Sequence, residues 1–187
     1  MGRLQRTAAK RSEVCDVRPR TREIILNKPF SPGPNEPKYF EDYPEGGIFE
    51  LGSVVVDETE CVEFAKRYDP QCFHVDPAAA KKSIYGGLIT SGWHTGGMMM
   101  RLIADNFLSD ESSLGSSGIE KLNWPSPVRP GDTLSVRITI LKARVSRSKP
   151  ERGILVTRAE SHNQHGALVM SYQAVNFMRR RPDSVNS

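Results

Sequence analysis

Asp69 and His74 stand five positions apart in "RYDPQCFHVD", residues 67–76, a stretch that also holds Tyr68, Cys72, Phe73 and Val75. A carboxylate and an imidazole on one short loop can share a water molecule and move its protons. General acid–base groups of this kind give roughly 10²–10⁴-fold assistance when they reach the reacting atoms. The competing account of the same residues is structural: Asp69 before Pro70 ends a helix, and His74 is a core histidine with its hydrogen bonds met. Cys72 is a second chemical candidate, as a thiolate nucleophile. No oxyanion loop or third group stands near it in sequence, so a small apolar role is expected instead. Cys72, His74, Asp76 and His94 mix ligand types without zinc spacing, and no metal is expected there.

Elements must carry these residues into one place. In "ETECVEFAKRY", Val62, Phe64 and Ala65 fall partly on one helical face, Asp57 or Thr59 can cap the start, and Asp69-Pro70 stops the helix. "VDPAAAKKS" reads as a second short helix, capped by Asp76 with Pro77 in its first position. In "YGGLITSGWHTGGMMMRLIADNFL", Ser91-Gly92 opens a long apolar helix from Trp93 to Leu108, with Met99, Leu102, Ile103 and Phe107 on one stripe. Gly96 and Gly97 lower helix propensity and are expected where another backbone packs closely.

The second half changes period. A short strand is expected near Ile48–Leu51, after a Gly46-Gly47 turn, and another in "GIEKLNW" (118–124). "RPGD" (129–132) turns into "DTLSVRITIL", where Leu134, Val136, Ile138 and Ile140 alternate on one face. Two further strands follow, joined by a hairpin at Asn163–Gly166. A long apolar helix must be covered, and an antiparallel sheet is its natural cover, which makes the fold class α+β. One sheet around one helix leaves a sheet edge and a helix flank open, so a homodimer or a dimer-based higher oligomer is expected.

Hydrophobic residues make up 37% of the 187 and charged residues 26%, enough for a packed core. No apolar run approaches the roughly 20 residues of a spanning helix, and no membrane association is expected. The formal net charge is +4, and residues 1–22 carry seven cations against Glu13 and Asp16. A basic tail on a near-neutral body argues against nucleic-acid binding, which uses a basic face of the folded domain. Glu13 and Asp16 argue against a transit peptide. Three cysteines without CxxC spacing point to a reducing compartment, hence the cytoplasm. Residues 1–38, with the Pro- and Gly-rich "NKPFSPGPNEPK", are expected to form a flexible lead-in to a domain at 39–181. The chain end "RRRPDSVNS" reads as solvated, with 182–187 as a C-terminal tail.

"FAKRYDPQCFHVDPAAA", "GGLITSGWHT" and "WPSPVRPGDTL" together resemble the MaoC-like acyl dehydratases, which include the (R)-specific enoyl-CoA hydratases, over residues 39–181. The resemblance implies a hot-dog fold, a lyase of fatty-acid metabolism, an acyl-CoA substrate and no cofactor. It implies water addition across the 2,3 double bond of an acyl thioester, with Asp69 and His74 as the catalytic pair. Gly92 matches the glycine whose N–H faces the thioester oxygen, with Ser91 beside it. Phe73 and Tyr68 would help exclude water. This chain departs from the family where Gln71 and Cys72 replace Asn and Pro, and where Ser91-Gly92-Trp93 replaces His-Gly-Met. It departs again at Gly97, which aligns with a serine that holds the aspartate in some hydratases. His94 is expected to be structural or to line the pocket rather than to be catalytic. Arg129 and the cations along 142–152 are either contacts for CoA phosphates or a solvated face. Two rival functions remain: a hot-dog thioesterase, for which Asp105 is the only acid in 93–108, and a non-catalytic acyl-thioester binding module.

Overall fold

Alternation builds the sheet. In the strand Thr133–Val145 (β3), Leu134, Val136, Ile138 and Ile140 are all buried, as the period-2 pattern requires. A computed structural model describes residues 38–185 of the chain, so the reading of 1–37 as a flexible lead-in lies outside the described residues. The other strands are Ile48–Val55 (β1), Ser113–Asn123 (β2), Arg152–His162 (β4) and Leu168–Arg179 (β5). They form one five-stranded antiparallel sheet in the order β1-β3-β4-β5-β2. The β4–β5 hairpin turns where expected: Gly166 has φ +77°, and Asn163 Oδ1 accepts from the His165 and Ala167 N–H groups at 3.0 Å each.

The long helix spans Gly92–Asn106 (α4). Met99, Leu102 and Ile103, with Phe107 just past its end, pack on Val136, Ile138, Ile140, Leu155, Ala159, Met170 and Met178 of the sheet. Burial of this face removes the helix stripe and the inner face of the sheet from water together, the main driving force for the fold. Tyr43 closes the end of the core. Its ring lies against Phe49 and Phe107, and its hydroxyl donates to the Phe107 carbonyl at 2.6 Å. Burial pushes this phenol well above its ordinary range.

Some details differ from the sequence expectations. A Cβ on Gly96 would lie 3.2 Å from the Met170 methyl, so a side chain of β5 is its close neighbour rather than another backbone. Gly97 faces open space. β1 runs past Leu51, because Gly52 at φ +88° makes the bulge that lets pairing with β3 resume at Ser53. β2 starts before Gly118, its register shifting at Ser113–Ser116 and Ser116–Ile119. The segment that follows β5 is tied down at Arg180 and Arg181. Pro182–Val185 form a helical turn (α5), and Arg180 and Arg181 pair with Glu41 and Asp42 at 3.1 and 2.6 Å. These acids belong to the 3-10 turn Phe40–Asp42, whose Phe40 ring lies over Gly153. Among the described residues no helix is long and apolar enough to cross a membrane.

Candidate active site

Three short helical segments present the acid–base pair. Helix Glu58–Tyr68 (α1) is capped by Asp57, whose carboxylate accepts from the Glu60 N–H at 2.9 Å. It ends at Asp69, where Pro70 has no N–H to continue the ladder. A single turn, Cys72–Val75 (α2), then carries His74 inward, and Asp76 caps Pro77–Lys82 (α3) by accepting from the Ala78 and Ala79 N–H groups. The chain returns through residues 83–90 to Ser91, which caps α4 by accepting from the Trp93 N–H at 3.2 Å.

These elements bring Asp69 and His74 together: His74 Nε2 lies 3.4 Å from Asp69 Oδ2. On the far side of the ring, His74 Nδ1 lies 2.9 Å from the Ile89 carbonyl. A carbonyl only accepts, so Nδ1 carries a proton, and Nε2 faces Asp69 with a lone pair when the ring is neutral and with an N–H when it is charged. The carboxylate is held as well. Ser91 Oγ donates to Oδ2 at 2.7 Å and Gln71 Nε2 to Oδ1 at 2.8 Å. Partial burial pushes the Asp69 carboxyl up, but the Ser91 and Gln71 hydrogen bonds, with His74, outweigh it and leave Asp69 below the usual carboxylate range. The His74 side chain is 6% exposed and that of Asp69 19%, so only one edge of the pair meets the adjoining cavity.

That cavity holds about 460 Å³. Asp69 and His74 lie on one wall with Phe73, and Gly92, Trp93 and Trp124 on another. The Gly92 N–H belongs to the first turn of a 15-residue helix, and no acceptor among the described residues takes it. Free N–H groups and the aligned peptide dipoles make such a helix start favourable for negative charge. Trp124 reinforces the turn: its indole N–H donates to the Gly92 carbonyl at 3.0 Å, and its ring meets Trp93 edge-on at 5.3 Å. A Cβ at position 92 would lie 2.8 Å from the Trp124 ring, which is why a glycine stands there.

Ser91 is fully buried behind Asp69 and does not line the cavity, so it touches the carboxylate rather than the space where a ligand would sit. Cys72 is exposed and off the cavity wall, while burial pushes the Cys61 thiol up, so neither thiol meets the space beside His74. Phe73 lines the cavity; Tyr68, 62% exposed, does not. His94 is buried behind Thr90, its Nδ1 2.9 Å from the threonine hydroxyl, and does not reach the cavity. Asp105 faces outward, paired with Arg101 at 2.7 Å. Arg129 directs its guanidinium to the Tyr85 and Leu88 carbonyls. Among the described residues no cluster of His, Cys, Asp or Glu has the geometry to hold a metal ion. Sequence reasoning noted Gln71 only as a departure from the family pattern and missed its bond to Asp69, two residues away, and it missed Ile89 and Trp124 altogether.

Comparison with known proteins places this geometry. Residues 46–162 match the family described as the MaoC like domain. A MaoC-like dehydratase from Rhodospirillum rubrum is 38% identical, with a TM-score of 0.72, over 78% of this chain and 99% of that one. The uncharacterized protein YdeM of Bacillus subtilis is 30% identical over 125 residues, 66% of this chain and 86% of its own length. A Mycobacterium tuberculosis protein with a double hot-dog fold superposes with a TM-score of 0.66 at 16% identity, over 79% of this chain and 46% of that one, and shares the fold. With its antiparallel sheet packed on one long helix, this hot-dog chain belongs to the MaoC-like dehydratase family.

Proposed function

We propose that the protein hydrates the 2,3 double bond of an enoyl thioester, or removes water in reverse, with an acyl-CoA as substrate. The observation that carries this reading is the 3.4 Å approach of His74 Nε2 to Asp69 Oδ2 on the wall of a cavity that also takes in the first turn of α4. In the neutral form of the ring, with Nδ1 committed to Ile89, neither group donates to the other. Two acceptors this close are relieved by a water that donates one proton to each. That water is then oriented and polarised.

Attack of its oxygen on the β-carbon transfers one water proton to the pair. The electron pair of the double bond moves towards the thioester, and the carbonyl oxygen takes on negative charge. The Gly92 N–H is the donor proposed for that oxygen, and a preorganised donor of this type acts most strongly in a site shielded from water. Return of the proton from the pair to the α-carbon completes the addition, so the atoms of one water end on the two carbons. Ser91 and Gln71 keep Asp69 ionised and aimed. The outward pairing of Asp105 with Arg101 speaks against a thioesterase carboxylate on the central helix. The exposed edge strand β2 and the uncovered flank of α4 support assembly as a homodimer.

Hydration of crotonyl-CoA, followed by loss of enoyl absorbance, tests the assignment. Asp69→Asn and His74→Ala, each folded by circular dichroism, are expected to lose about 10²-fold or more in kcat/KM. Near-normal turnover in either variant removes that residue from the mechanism. Release of free CoA instead of hydration points to the thioesterase, and binding without turnover in the unaltered protein points to a binding module.

A further inference from the structure

The loop at residues 83–89 supplies the carbonyl that orients His74, yet it has little internal structure to hold it. Gly86 sits at φ +64°, Ile84 is almost wholly exposed, and inside the loop the Gly86 N–H bonds to the Ser83 carbonyl at 3.1 Å and the Tyr85 N–H to the Ser83 hydroxyl at 3.2 Å. Ser83 and Ile89 tie its two ends to the Ala80 and Phe73 carbonyls, and its middle is held from the segment between β2 and β3. Arg129 Nη2 donates to the Tyr85 carbonyl at 2.5 Å, and Nη1 to the Leu88 carbonyl at 3.3 Å. The neighbouring Val128 carbonyl accepts from the Thr90 N–H at 2.8 Å. Arg129 is itself anchored: Asp132 Oδ2 accepts from its N–H at 2.8 Å, and Gln164 donates to the other oxygen of Asp132 at 2.9 Å.

We propose that Arg129 is a positioning residue for this site: its guanidinium clamps residues 85–88 and, through Ile89, sets the ring orientation and the proton position of His74. The path is short. Leu88, whose carbonyl Arg129 holds, is followed by Ile89. The Ile89 N–H reaches the Phe73 carbonyl at 3.2 Å, and its own carbonyl takes the His74 Nδ1 proton. Tyr85, held by the other arm of the guanidinium, packs on Phe73 at 5.1 Å and forms part of the cavity wall. Hydrogen bonds from a charged donor are about twice as strong as neutral ones. A fork of fixed geometry also holds two carbonyls at once, which a lysine cannot reproduce. Among the described residues Arg129 has no ion-pair partner, so the charge is spent on these carbonyls.

The kinetic part of the test rests on the hydration reading above; the spectroscopic part does not. In protein with 15N-labelled histidine, long-range 15N–1H correlation spectra at a pH where the ring is neutral report the tautomer of His74, assigned by its loss in His74→Ala. The unaltered protein is expected to show the Nδ1-protonated pattern. Arg129→Ala is expected to lose it, and to lose up to about 10²-fold in kcat, the scale on which misplaced catalytic groups fail. Arg129→Lys or added guanidinium ion restores part of both. Gly87→Ala gives an independent perturbation that keeps the arginine, because the new Cβ would crowd Nη1 at 3.2 Å; a shift in the same direction is expected. An unchanged His74 pattern in folded Arg129→Ala and Gly87→Ala protein overturns the proposal. So does a loss confined to KM for crotonyl-CoA and missing for crotonyl-pantetheine, which marks Arg129 as a phosphate contact. If Asp69→Asn retains activity while the tautomer still depends on Arg129, the hydration reading fails and the clamp stands.

Discussion

At the scale of single residues, Asp69 shows how three neighbours set one proton equilibrium. Its folded pKa lies below the ordinary value, so this carboxylate contributes stability above the pKa of the unfolded chain. That contribution disappears as pH falls through the lowered folded value. Ser91→Ala removes one of the two hydrogen bonds and should bring the carboxyl back up. The melting temperature of the variant is then expected to trail the unaltered protein at pH 7 and to close part of that gap towards pH 3. The acid limb of the activity profile is expected to move to higher pH. Loss of the helix cap adds about 1 kcal/mol of destabilisation at every pH. Gln71→Ala, which leaves the cap intact, should therefore share only the pH-dependent part. A destabilisation that does not change with pH in either variant would refute the account. The Asp69–His74 spacing and the helix-opening Gly92 are legible in the sequence because their chemistry needs short, fixed separations. Ser91 as the partner of Asp69 is not, because 22 residues separate them and only the fold closes that distance.

Elements with a long period were readable and those without one were not. Leu134 to Ile140 in β3 and Met99 to Phe107 along α4 repeat often enough to define a buried face, and all of them are buried. The Cys72–Val75 turn is too short for any repeat, yet it is the element that points His74 inward. The β2 strand is exposed along most of its length and bulged, so its alternation is blurred before Gly118. The chain end read as solvated because three arginines in a row look like a hydrated run. Glu41 and Asp42, 139 residues away, are what bind it. The Phe40 ring that anchors this corner fills the place of a side chain at Gly153, where a Cβ would lie 1.9 Å from it. Gly153→Ala is expected to cost about 1–3 kcal/mol, as overpacking does. Urea unfolding measures it, and an unchanged midpoint would show that the Phe40 packing is not needed.

For the whole molecule, the surface along α4 and β2 leaves large apolar side chains exposed. Met100 and Ile119, 44% and 56% exposed, face one hollow between helix and strand. Trp93 and Trp124 extend this surface at the other end of the helix. Charged side chains at such a place resist burial, so Ile119→Glu is expected to convert a dimer to a monomer in sedimentation velocity while secondary structure persists. A monomeric unaltered protein would remove the dimer from the proposed function. The sequence made an uncovered flank legible, since one sheet cannot cover one helix on all sides. It could not say that β2 would be an outer strand, because strand order emerges only from long-range pairing.

The chain has two tryptophans, and both stand at the rim of the cavity, with their rings in contact and one indole N–H bonded to the first carbonyl of α4. Ultraviolet emission from this protein therefore originates at the doorway of the site. Its intensity and colour register what enters there, without a dye or a label.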